Sequence, residues 1–205
     1  MRNFLAVVLT IVAVALAGGV GYYFGRNHPG PSFSSVLVAP PDNDELRRLY
    51  EEDQADRSAL SPAALKAITD PSVLIKKDSA RQDRVKALFI ANQLRTGNDF
   101  YHAAMIFQHG QAPEDFLLAH EFSVAALIKG KNDPASRLLT AESEDRFLTH
   151  VGRSQRFATQ FTFEGTHPWK LNPVDSVITD DFRQLMDTQS LAEAKNQEIE
   201  MNKAR

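Results

Sequence analysis

An apolar run opens the chain. Phe4 to Phe24 reads FLAVVLTIVAVALAGGVGYYF, without a charge, and at about 1.5 Å per residue a helix of this length spans the hydrocarbon core of a bilayer. It predicts a membrane helix over residues 4–24. Arg2 ahead of the run and Ala15-Leu16-Ala17 within it also fit a cleavable signal peptide. The apolar sequence continues past that small-residue site to Tyr22, Tyr23 and Phe24, aromatic residues suited to the membrane interface, which favours an uncleaved anchor over residues 1–25. Arg2 and Arg26 flank the run on opposite sides, so charge sets no orientation and the customary N-terminus-inside arrangement is taken. The expectation is a single-pass membrane protein with its domain outside the cytoplasm or, after cleavage, a secreted or periplasmic one.

Residues 26–43, RNHPGPSFSSVLVAPPDN, are rich in proline, glycine and serine and read as a linker. Thereafter the punctuation is helical. Asp42 with Glu45 resembles a capping box for a helix from about Asp44 to Arg57. Ser61-Pro62 opens a short helix that Asp70-Pro71 ends, and Asp78 or Ser79 opens the next, running to Leu94 and stopping at Gly97. Asn98 or Asp99 caps a helix through Gln108 that Gly110 ends. Pro113 begins another that closes at Gly130, and Asp133-Pro134 one that closes at Gly152. Thr179, and Ser190 with Glu193, cap two more. Between them Phe157, Thr159, Phe161 and Phe163 alternate with Arg156, Ala158, Gln160 and Thr162, the period of a strand, and Gly165 followed by Pro168 marks a turn. The predicted fold is mainly α: a bundle or array of about five to seven helices over residues 44–205 with a small β-hairpin near 156–170, preceded by the membrane helix.

Continuing each apolar stripe meets polar residues. Leu46, Leu49 and Tyr50 define a face that runs on through Asp53 and Arg57. The segment FYHAAMIF is apolar nearly all round, yet holds His102 and ends in Gln108-His109. A stripe of Leu117, Val124 and Leu127 passes through His120 with Glu121 at its edge, and Leu138, Leu139 and Leu148 flank Glu142, Asp145 and Arg146. Burying such groups unpartnered costs about 2–7 kcal/mol each, so they must satisfy one another, reach water or line a cavity. A connected polar network on four helices follows, as the lining of a binding pocket or as structural core.

Composition narrows the chemistry. Among 205 residues there are 23 Lys+Arg against 26 Asp+Glu, with no basic block to track a phosphate backbone, which removes support for nucleic-acid binding. The lack of cysteine excludes disulfides, thiolate nucleophiles and thiolate metal sites. Glycines stand singly, without a phosphate-cradling loop, and Ser123 and Ser154 lack the strand-to-helix elbow of a hydrolase serine. The candidate catalytic residues are therefore His102, His109 and His120, with Glu121, Asp53 or Asp145 as partners. Three imidazoles could ligate a divalent metal and leave a position for activated water, or one imidazole held by a carboxylate could act as general base. His102 and His109 stand two turns apart, about 10 Å along a helix axis, so a shared metal requires the helix to end between them. The plainer reading makes Asp53 and Arg57 an i, i+4 ion pair, sets Asp145 and Arg146 in similar pairs, and keeps each histidine as hydrogen-bonded core.

The segments DQADR at 53–57, MIFQHG at 105–110, LAHEFSVAA at 118–126, EDRFL at 144–148 and GRSQRFATQF at 152–161 resemble, in order, the signature blocks of an uncharacterised bacterial family known only as a domain of unknown function. Ala158 stands where that family usually has glycine. The resemblance covers roughly residues 44–191 and implies no activity; it brings no substrate or mechanism, and the cofactor stays unknown. The binding-site candidates are Asp53, Gln54, Arg57, Gln108, Asp145, Arg146, Gln155 and Gln160. Two functional classes remain: a membrane-tethered binding or interaction domain for a small molecule, peptide or protein segment, or a hydrolase-type enzyme using histidine and carboxylate groups, with or without metal.

Overall fold

The structure is a computed structural model that describes residues 39–58, 72–163 and 167–203. The expected membrane segment 4–24, residues 26–38 of the linker, the short helix at Ser61-Pro62 and the turn at Gly165 lie outside those residues. Among the described residues no helix is long and apolar enough to cross a membrane. A compact unit begins at Pro40. Its described elements are the helices α1 (Asp44–Ser58), α2 (Ser72–Ile90), α3 (Gly97–Phe107), α4 (Pro113–Ile128), α5 (Pro134–His150), α6 (Asp180–Leu185) and α7 (Leu191–Lys203). Strands β1 (Phe161–Thr162) and β2 (Lys170–Leu171) lie between α5 and α6. The fold is mainly helical, with a two-stranded antiparallel sheet that sets Phe161 opposite Leu171.

The centre is α3. One broad face is fully buried, Ala103, Ala104, Ile106 and Phe107, and Phe100, Tyr101, His102 and Met105 are half-buried, with α1, α2, α4 and α5 against the helix. Leu46, Val85, Leu88, Phe122 and Leu139 complete the core from those neighbours, and burial of each large side chain contributes about 1.5–3 kcal/mol. Gly97 lets the start of α3 approach the end of α4, because a Cβ there would stand 2.7 Å from the Lys131 Cβ.

Several boundaries differ from expectation, each for a hydrogen-bonding reason. Asn43, not Asp42, caps α1: its Oδ1 accepts from the Glu45 and Leu46 N–H groups, both at 3.0 Å. Asp42 instead accepts from Thr96 Oγ1 and Asn98 Nδ2, and Glu45 pairs with Arg84. Thr96 caps α3 in a capping box with Asp99, whose other oxygen accepts the Asn43 N–H at 2.7 Å and so ties the two helix starts together. Helix α2 begins at Ser72, which places Asp78 mid-helix rather than at a cap, and it ends at Ile90 because Asn92 adopts φ 54°, a left-handed conformation asparagine tolerates. Asp133-Pro134, Thr179 and the Ser190–Glu193 box cap as their sequence implies. In α4 the buried face is Phe116, Ala119, Phe122, Ser123 and Ala126, so the stripe drawn through Leu117, Val124 and Leu127 is rotated: Leu117 is 38% exposed. A helix apolar over much of its circumference carries two plausible stripes, and the small Ala and Ser positions admit α3 and α5 more closely.

The expected hairpin contracts to its last residues. In the segment before β1 the N–H groups of Arg156, Phe157 and Thr159 do not join a ladder; they donate to one buried carboxylate. Asp145, fully buried on α5, accepts from the N–H of Arg156 (2.6 Å), Phe157 (3.0 Å) and Thr159 (3.1 Å) and from the Thr159 hydroxyl (2.9 Å). Burial pushes its carboxyl up from the ordinary range and these hydrogen bonds pull it back. Wrapping the carboxylate forces Ala158 to φ 60°, at the position where the resembled family has glycine, a conformation that costs an L-residue about 1–2 kcal/mol. Gln155, fully buried, closes the loop: its Nε2 donates to Gln160 O and Asn172 O, both at 2.9 Å, and its Oε1 accepts the Gln160 N–H. On the far edge of β2, Asn202 and Glu198 of α7 take the N–H groups of Trp169 and Leu171. Replacing Asp145 by Asn leaves buried N–H donors facing an amide that cannot serve them all, and is expected to cost about 2–4 kcal/mol in urea unfolding of the full chain. Ala158→Gly is expected to stabilise by about 1 kcal/mol in the same measurement.

Candidate functional site

The site forms where α3 runs out. Gln108 is its C-cap, and past that point the backbone carbonyls have lost their helical donors. Arg146, from the middle of α5, supplies one: its Nη1 donates to Gln108 O at 2.7 Å. The chain then turns His109 onto α1, where Nδ1 lies 3.1 Å from Asp53 Oδ2 and 3.2 Å from Oδ1.

Asp53 is fully buried and still satisfied. Arg57 Nη1, one helical turn along, donates to Oδ1 at 2.7 Å and Gln54 Nε2 to Oδ2 at 2.8 Å. Arg57 continues to α2, its Nη2 lying 2.9 Å from Asp78 Oδ2. Arg81 Nη1 reaches the other Asp78 oxygen at 3.1 Å and stands 3.8 Å from Asp53. Arg81 also pairs with Asp56, which holds Lys77 at 2.8 Å. This alternation of carboxylates and cations joins α1 to α2 and offsets the desolvation of each member.

On the opposite side, the loop fixed by Asp145 delivers Gln160. Arg146 Nε donates to Gln160 Oε1 at 3.2 Å, and Gln160 Nε2 donates to Thr159 Oγ1 at 3.0 Å. Arg146 is half-buried, with its guanidinium carbon 5.7 Å from the centroid of the Phe116 ring. Among the described residues no carboxylate lies within ion-pair distance of it, and its hydrogen bonds go to neutral oxygens. Burial pushes its pKa down; Glu142 opposes that shift and the like charge of Arg57 adds to it. Burial raises the half-buried Glu142 carboxyl, Arg146 draws it down, and Asp145 pushes it further up. Gln108 is only 4% exposed, and its Oε1 has no hydrogen-bond partner.

Of the candidates drawn from sequence, Asp53, Gln54, Arg57, Gln108, His109, Arg146 and Gln160 therefore meet, while Asp145 and Gln155 stand behind them and hold the loop. The other two histidines have neighbours of their own. His102 stacks on Tyr50 with ring centroids 4.3 Å apart, and burial lowers its pKa. His120 places Nδ1 3.0 Å from Thr140 O, and Glu121 is exposed. Among the described residues no group of three or more His, Cys, Asp or Glu side chains is disposed to hold a metal ion. Asp56, Asp78 and Arg81 join the network without having been singled out. The Asp78–Arg81 spacing of three was legible as a same-face pair, but a helix start placed at Asp78 concealed it.

No protein family, curated protein or solved structure matches this chain.

Asp53→Ala leaves Arg57 and Arg81 short of a buried counter-charge and is expected to cost about 3–5 kcal/mol in urea unfolding, whereas His109→Gln, at the margin of the network, should cost under about 1.5 kcal/mol. The folded protein holds the Glu142 proton more tightly than the unfolded chain does. That contribution is present below the ordinary value of 4.5 and is lost as pH rises through the elevated one. Glu142→Gln is thus expected to raise the unfolding midpoint at neutral pH, with the gain vanishing as the acid side of that window is reached.

Proposed function

We propose that this chain is a membrane-tethered binding domain, held at a bilayer by residues 4–24 on the non-cytoplasmic side, whose ligand seats among Gln54, Gln108, His109, Arg146 and Gln160. The observation that carries this reading is the unspent capacity around Arg146. Among the described residues a half-buried guanidinium rests on neutral acceptors alone, one of them the main-chain oxygen of Gln108, whose own buried Oε1 has no described partner. Buried polar groups are normally satisfied, and a bound molecule with its own polar groups would satisfy these. The ordered Asp-Gln/Arg, Gln-His, Asp-Arg and Thr-Gln blocks fall on the cluster or on the loop that builds it, which supports placing the chain with the uncharacterised bacterial family it resembles. A small molecule or the end of a peptide suits this site better than nucleic acid, since the sequence carries no basic block to follow a phosphate backbone.

One contact favours a second reading, a hydrolase-type enzyme. Asp53 at 3.1 Å from His109 Nδ1 holds that nitrogen as the proton donor, which leaves Nε2 as the basic position of a neutral imidazole. In that arrangement Nε2 would take a proton from water during hydrolysis.

A thermal-shift screen of polar metabolites and short peptides against the full chain in non-ionic detergent separates the two. Binding at the site predicts ligands that raise the melting midpoint of the wild type and leave Gln160→Ala unmoved; equal shifts in both proteins would remove the site from the reading. Turnover of a screened ligand that disappears in folded, still-binding His109→Gln would move the assignment to the enzyme.

A further inference from the structure

We propose that the group recognised at this site is an oxyanion, a carboxylate or a tetrahedral phosphate- or sulfate-type group, received on the outer edge of the Arg146 guanidinium. This rests on the reading that the cluster is a ligand site and names the chemistry of what it takes.

The donor inventory leads there. A guanidinium has five N–H groups. Among the described residues Nε donates to Gln160 Oε1 and Nη1 to Gln108 O, which leaves one Nη1 hydrogen and both on Nη2 without a described acceptor. Nη2, with a remaining Nη1 hydrogen beside it, can present N–H groups to the oxygens of an oxyanion, the kind of group arginine binds most strongly. The charge around it agrees. A partly buried cation lacking an ion pair is costly to maintain, and Arg57 places a second positive charge within its influence.

The carboxylates near enough to compete are otherwise engaged or only partly effective. Asp53 is occupied by Arg57, Gln54 and His109, and Asp145 by the loop N–H groups and the Thr159 hydroxyl. Glu142 faces Arg146 beyond ion-pair distance and is held toward its neutral form by burial. The Gln108 amide, turned over, offers N–H groups in place of its unpartnered oxygen; the two ends are nearly isosteric.

The test is titration of the full chain in non-ionic detergent at pH 7 with sodium sulfate, sodium acetate and sodium chloride at matched ionic strength, read by thermal shift and by broadening of the His109 ring NMR signals. Sulfate or acetate is expected to raise the melting midpoint and perturb His109 where chloride does neither, and the better of the two identifies the tetrahedral or the planar anion. Arg146→Gln should weaken this response by about tenfold or more, and Glu142→Gln, which removes the carboxyl that acts electrostatically on Arg146, should strengthen it. A wild type indifferent to both oxyanions, or Arg146→Gln and Glu142→Gln responding as the wild type does, overturns the inference. If a screened ligand still binds in a Gln160-dependent way while neither oxyanion competes with it, the oxyanion assignment fails and the ligand site stands; if no ligand binds there at all, both fail.

Discussion

A carboxylate with no solvent around it must be compensated by the protein, and this molecule meets that demand at Asp53 and again at Asp145. Both side chains are fully buried, and leaving either unmatched would cost several kcal/mol, so the segments that supply donors are committed to the positions they occupy. At Asp53 the donors are side chains: Gln54 and Arg57 from α1, His109 after α3, and Arg81 at longer range from α2. At Asp145 they are chiefly backbone N–H groups of a single loop. The first carboxylate joins helices; the second shapes a loop.

The two compensations meet through Arg146. It follows Asp145 in sequence, so its side chain leaves α5 at a different angle and reaches Gln108 O and the loop's Gln160 together. The end of α3 is thereby fixed from one side by Arg146 and from the other by Asp53 through His109. What distinguishes Arg146 from Arg57 is its partners: Arg57 rests between two aspartates, and Arg146 on neutral oxygens. That asymmetry is the physical basis for assigning a ligand to one side of the cluster and a structural role to the other.

His102 and His120 show how residue type alone misleads. Each sits near an apolar face, as His109 does, but one is stacked on Tyr50 and the other set against a main-chain carbonyl. Seven residues separate His102 from His109, and the termination of α3 between them sends the two rings to different neighbours. Asp145 was open to reading as a salt-bridge partner by analogy with Asp53, yet its donors come from a loop whose hydrophobic alternation had suggested a strand.

What the sequence by itself determined is local and periodic. The buried character of α3, the caps at Asp133-Pro134, Thr179 and Ser190, and the presence of polar groups on inward faces all follow from residue type and spacing over a few positions. The tertiary structure alone decided which of two apolar stripes on α4 turned inward, where α2 began, and which polar groups became partners. Those outcomes depend on contacts between residues distant in the chain, such as Arg57 with Asp78 or Arg156 with Asp145. A periodicity argument sees one element at a time; the desolvation cost that selects partners arises only once several elements have excluded water from the same place.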